Sequence, residues 1–356
     1  MRRWPGGRRS SLLRRWCRWS SSSGCSWCHS WHQAKSGSGS PQLLRYVSFA
    51  ALFFLVTQIV QNRNEIIVLV GVLTGSAAIA SVVGVGRFFA RISDRVSGPI
   101  ADANDFGYLL ATVLPLSVYL VGRGGRARPA WVLTTVVIVV AILGTLSRGA
   151  VVSLFVVVVW LMIRGWVSLR AVAWTALGLG VLAGVAFTLR RDFLADRLYA
   201  KGLVANDNLE SRWALWRGAL EMAADHPVIG VGTGLYRFRA SEYVVDDPLH
   251  LFQPVAHNAY AEVLAENGVL GLLAFGAFIV GTWLLLRNAR RAAVVAEDPG
   301  LEHLVTALQA SFIAAVVGAA FLSVQITPPI WFLGALAACP ALAVAVRGNE
   351  RVERPS

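Results

Sequence analysis

The chain has 356 residues, of which 56% are hydrophobic and only 15% charged, and its mean hydropathy is +0.57. No ordinary soluble domain has that balance, so the composition describes an integral membrane protein. The net charge of +13 comes from arginines gathered between long apolar runs, which assigns the basic excess to membrane lipids rather than to nucleic acid.

Residues 1–45 stand apart. They carry seven Arg before Cys25 and show no hydrophobic period, and no apolar run with a small-residue cleavage site follows. The expectation is a misassigned start. Within this segment Cys25, Cys28 and His29 spell C-x-x-C-H, the pattern of c-type haem attachment, with His32 nearby. The segment's biased composition makes this an accident of sequence, so neither haem nor metal is expected. Cys339, inside the last apolar run, reads as a small packing residue.

From residue 46 onward, charge-free runs predict spans near 46–61, 65–86, 106–122, 130–147, 149–163, 171–189, 259–286, 304–323 and 330–346. Backbone polar groups in lipid must be satisfied within each segment, so these are helices. The fold class is all-α: a polytopic bundle of about nine transmembrane helices with one large extracytoplasmic loop that contains an interfacial helix. The divisions are the atypical segment 1–45, an N-terminal bundle 46–189, the loop 190–258, C-terminal helices 259–346 and a cytoplasmic tail 347–356.

Arg123, Arg126 and Arg128 lie in one connection, Arg164 and Arg170 in another, and Arg287, Arg290 and Arg291 in a third, while Arg347 and Arg351 follow the last span. Taking these four clusters as cytoplasmic makes the spans alternate without contradiction. The loop 190–258, the junction Ser147-Arg148-Gly149 and the segment 87–105 then lie outside. Arg87, Arg91 and Arg95 are exceptions on the outer side, which suggests that they have a task there.

Arg148, flanked by Val, Leu and Ile runs, supports two readings: a tight hairpin whose Arg reaches to headgroups, or an anion site facing a cavity. Asp102-Ala103-Asn104-Asp105 reads first as a helix cap. In the loop, "NLESRWALWRGALEMAADHP" predicts a helix from Asp207 or Asn208 that stops before Pro227. Its apolar face is Leu209, Trp213, Trp216, Leu220 and Ala223, and Arg217 and Glu221 pair across one turn. Such a helix lies at the membrane surface, with Arg212 and Arg217 at headgroup level. Gly230, Gly232 and Gly234 then form a G-x-G-x-G turn without any βαβ context, a place where backbone N–H groups could approach an anion beside Arg237 and Arg239. His257-Asn258 stands at the lip of the next span, and Glu262 and Glu266 read as solvating an amphipathic turn.

Five stretches carry a resemblance: "DANDFGYLLATVLPLSVYL" (102–120), "TLSRGAVVSL" (145–154), "SRWALWRGALEMAADHPVIGVGTGLYRF" (211–238), "HNAYAEVLAENGVLGLLAF" (257–275) and "WFLGALAA" (331–338). In order and spacing they resemble the O-antigen ligase and polysaccharide polymerase family of bacterial envelope membrane proteins. Members of that family usually have further spans before the first one found here. The resemblance implies a bacterial inner-membrane glycosyltransferase, active on the extracytoplasmic face. It moves a glycan from an undecaprenyl-diphosphate donor to a hydroxyl of a glycan or glycolipid acceptor, without metal or cofactor. Position by position, it implies catalytic roles for His257, Arg148 and Arg212. Arg237, Arg217, Asn258, Gly232, Gly234 and Asn104 complete the candidate site as substrate-binding residues. Guanidinium pairs suit a leaving diphosphate, and an imidazole titrates where a general base must. The rival from another class is a polytopic transporter or lipid-linked glycan flippase, for which intramembrane Arg would also be expected.

Overall fold

A computed structural model describes residues 40–100, 102–189, 207–244, 255–324 and 327–342. The described residues form helices and no strand: α1 (Ser40–Ile59), α2 (Arg63–Phe89), α3 (Ala103–Gly122), α4 (Arg128–Thr145), α5 (Arg148–Ile163), α6 (Leu169–Leu189), α7 (Asp207–Asp225), α8 (Tyr236–Tyr243), α9 (Ala259–Val295), α10 (Pro299–Ala319) and α11 (Pro328–Ala338). Every predicted span meets one of these helices. Six of them, α1, α2, α3, α4, α9 and α10, are long and apolar enough to cross a membrane, and α5 and α11 are shorter apolar helices. The Cys-x-x-Cys-His motif, Asp246-Asp247 and the tail 347–356 lie outside the described residues.

Helix starts follow side-chain caps that the sequence supplies. Asn62 and Glu65 form a reciprocal capping box on α2, Asp102 accepts from the N–H groups of Asn104 and Asp105 on α3, and Ser147 accepts from Ala150 N on α5. Asn258 caps α9 and Asp298 caps α10 in the same way. These bonds occupy N–H groups that a helix cannot satisfy internally.

The centre of the bundle is the α3–α10 pair. α3 also packs on α2, α4 and α5, and α10 also packs on α5, α9 and α11. Close approach rests on small residues: Ala310, Ala314, Ala315 and Ala319 of α10 are buried, and a Cβ on Gly318 would stand 2.5 Å from the Tyr108 ring. Cys339 is buried in this core, as expected of a packing residue.

Four boundaries differ from the sequence reading. α1 already begins at Ser40, inside the segment assigned as atypical. α10 ends at Ala319, so residues 320–323 are not part of a span. α11 stops at Ala338 because Pro340 forces Cys339 into extended backbone (φ −63°, ψ 142°). The fourth difference is in α9, which is broken at Gly268 (φ 64°, ψ −165°) rather than continuous.

The segment 227–232 repairs that break. Val231 N donates to Ala265 O and Gly232 N to Glu266 O, while Val269 N donates to Pro227 O and Leu270 N to Val228 O. Two carbonyls before the break and two amides after it are thereby satisfied, as burial demands. Backbone contact this close requires glycine: a Cβ on Gly230 would lie 2.3 Å from the Glu266 carbonyl carbon.

The two ends of the bundle differ in character. At one, Arg63 pairs with Asp298 at 3.2 Å, Arg290 with Glu302 at 2.8 Å, and Trp166 meets His303 edge-on. At the other are the 90–102 loop, the Thr145–Arg148 junction, α7, α8, the start of α9 and the segment 320–324.

Candidate functional site

The segment after α10, which the hydropathy reading absorbed into a span, is the hub of that second end. Its Phe321 carbonyl accepts from the Arg212 guanidinium at 3.4 Å, and its Phe321 side chain lies against Gly149, where a Cβ would come within 2.9 Å. Two residues on, Ser323 Oγ accepts from His257 N at 3.1 Å. One short strap thus touches the helix that starts with Arg148, the helix that carries Arg212 and the residue His257.

Arg148 is exposed at the first position of α5, where the helix dipole is positive and a second cation is unfavourable without an anion. Arg212 is close enough to sense it. Burial lowers the Arg212 pKa, the charge of Arg148 pushes the same way, and Asp102 offsets them. Two guanidiniums at the positive end of a helix make an environment for an anionic ligand.

A third arginine, Arg95, braces this arrangement. Its Nε donates to Thr145 O at 2.6 Å and its terminal nitrogen to Asn104 Oδ1 at 2.7 Å, while Val96 N bonds to Gly144 O. Burial lowers the Arg95 pKa too, opposed by Asp102. This is the task that the outer-side cation in the 87–105 segment performs: it fixes the end of α4, two residues before Ser147. Asn104, expected to bind substrate, has its carbonyl oxygen committed to Arg95.

His257 has φ +49°, a left-handed conformation uncommon for a side chain with a Cβ. Its two neighbours are fixed. Trp216 Nε1 donates to Ala256 O at 2.7 Å, and Asn258 caps α9 through Tyr260 N and Ala261 N. Trp216 and Arg212 are one turn apart on α7, so a single helix face reaches both the strap and the segment before His257. Strain of this kind persists where surroundings over-determine it, and functional sites are where it collects.

The glycine turn has a different use from the one expected. The N–H of Gly232 is bonded to the Glu266 carbonyl, and the amides of Gly234 and Tyr236 donate to the Glu266 carboxylate. The anion cradled by the turn is the protein's own. Glu262 and Glu266 are buried (4% and 3% exposed), not solvating a surface as the sequence suggested. Periodicity missed this because their partners, Ser323 and the turn 230–236, are distant in sequence.

Arg217 is exposed and paired with Glu221 at 2.9 Å, as the spacing predicted, which directs it away from the strap. Arg237 is exposed on α8, with its charge felt by Asp105 and Glu266. On α7 the buried face is Leu215, Ala219 and Met222, packed with α9. The Trp213 and Leu220 side of the predicted apolar face is 62% and 58% exposed, the pattern of a helix with one face on protein and another on lipid.

No curated protein matches the chain. Residues 133–276 match the family model described as O-Antigen ligase, a stretch that runs from α4 into α9 and holds Arg148, Arg212 and His257 but not Arg95, Asn104 or Ser323. Through that segment the chain belongs to the O-antigen ligase family.

Proposed function

We propose that the chain transfers a glycan from undecaprenyl diphosphate to an acceptor hydroxyl at the outer surface of the bacterial inner membrane, in envelope polysaccharide assembly. The supporting observation is the strap contact: Arg212 and His257 bond to residues two apart, beside the α5 start that bears Arg148. Arg148 and Arg212 hold the donor diphosphate. The acceptor oxygen attacks the anomeric carbon, the bond from that carbon to the diphosphate oxygen breaks, and the electron pair leaves on the lipid diphosphate. His257 accepts the hydroxyl proton. The guanidiniums act most strongly in the transition state, where charge on the leaving group grows. Acceptors of this chemistry are a glycolipid sugar, as for a ligase, or another lipid-linked repeat, as for a polymerase.

Arg148→Ala is expected to lower transfer by on the order of 10²-fold. Arg148→Lys should lose about tenfold, because an ammonium cannot reproduce the bidentate fork. Both are measured as polymer formed by purified protein from lipid-linked glycan extracted from a deletion strain. Full activity of the Arg148→Ala protein would remove the diphosphate role.

The orientation is tested by labelling. In a cysteine-free background, a cysteine at exposed Ser241 on α8 should react with an impermeant maleimide in intact spheroplasts, and one at exposed Ala127 only after lysis. The reverse pattern would leave the site facing soluble sugars instead of lipid-linked glycan.

A further inference from the structure

The strap contains a hydroxyl whose position the chemistry of the site has not yet used. Ser323 Oγ accepts the His257 backbone N–H and donates its own proton to Glu262 Oε2. A serine hydroxyl has one proton to give, so these two bonds fix its direction: the carboxylate orients the hydroxyl, and the hydroxyl's lone pair receives the amide. Glu262 is in the first turn of α9, five residues after His257, and is held by a capped helix start. The acceptor is therefore anchored on the same element that begins with the histidine, while the hydroxyl comes from the far end of α10. The bonded residue is the one in left-handed backbone conformation, which nothing in its own side chain favours.

We propose that Ser323, oriented by the buried carboxylate of Glu262, is a positioning residue that holds the His257 backbone in its left-handed conformation and so sets where the imidazole stands. This rests on His257 being the general base. A carboxylate-to-hydroxyl-to-amide chain acts on the base through its backbone, leaving both imidazole nitrogens to other partners. It also explains why an acidic residue is buried at a site that otherwise gathers cations. Ser323 lies beyond the family-matched stretch, so the device belongs to this chain's own geometry.

The test is a set of single and double variants assayed with lipid-linked glycan extracted from a deletion strain. Ser323→Ala should lower kcat about tenfold with KM changed little, the loss expected for one buried hydrogen bond. Glu262→Leu should match it, whereas Ser323→Thr and Glu262→Gln, which keep a hydroxyl and an acceptor, should lose no more than about threefold. In a His257→Ala background, adding Ser323→Ala should cost nothing further, because the residue acts only through the imidazole. If the Ser323→Ala loss is as large in that background as in the wild type, Ser323 is a structural residue and the proposal falls. It falls also if Ser323→Ala keeps full kcat while His257→Ala is impaired. A fully active His257→Ala protein would instead remove the general base itself, and the positioning role with it.

Discussion

Replacing His257 with Asn should lower glycan transfer by on the order of 10²–10⁴-fold, the contribution of a positioned general base, while donor binding stays within about twofold. Asn is the informative substitution because it tolerates left-handed backbone, the conformation of His257 at φ +49°. It also keeps the N–H that Ser323 receives. The backbone thus stays in place while the titrating group is lost. His257→Ala should show a similar loss, with a small added cost for Ala in that conformation. Donor retention is read by binding of the extracted lipid-linked glycan, and transfer by polymer formed in a single turnover. If the Asn protein transfers at the wild-type rate, the acceptor proton goes elsewhere and the mechanism proposed above is wrong in its central step.

The second large effect is expected at Gly268. Its backbone angles, φ 64° and ψ −165°, lie in a region almost confined to glycine, and a Cβ there would stand 2.3 Å from the Val228 carbonyl oxygen. Strain alone costs on the order of 1–3 kcal/mol. The clash adds to it, since the obstructing atom is a backbone oxygen that already accepts from Leu270 N. Gly268→Ala should therefore lower the thermal midpoint in detergent by at least about 5 °C and abolish transfer. Gly276→Ala, on the same helix with open space where the Cβ would go, should leave the midpoint within about 1 °C. Equal behaviour of the two variants would mean that the joint between α9 and the 227–232 segment carries little of the stability.

Local chemistry was legible in the sequence and long-range chemistry was not. The caps at Asp102 and Asn258 and the pair Arg217–Glu221 obey rules of spacing, and each forms as the residues predict. The helix Asp207–Asp225 begins and ends as its cap and proline signals require. Hydropathy found every apolar helix but could not see the break in α9, because Gly268 sits between an amphipathic turn and an apolar run that share one period. Glu262 and Glu266 were misread for the same reason: burial by partners distant in sequence leaves no local mark. Ser323 was hidden inside a supposed span. The one signal available was the run Ser323-Val324-Gln325-Ile326-Thr327-Pro328-Pro329, whose polar residues and prolines ill suit a helix end in lipid.

The strap at Phe321–Ser323 also changes what sets the length of α10. A transmembrane helix is ordinarily matched to bilayer thickness, which tolerates a residue or two either way through tilt. α10 ends instead in a segment that contacts Arg212 and His257 within three residues. Each residue added to the helix shifts its end by about 1.5 Å and turns it by about 100°, so a change that the membrane would absorb would withdraw Phe321 and Ser323 from both partners together. The register of the central helix is in this sense a ruler for the reaction, fixed by the spacing between a diphosphate and an incoming hydroxyl rather than by lipid.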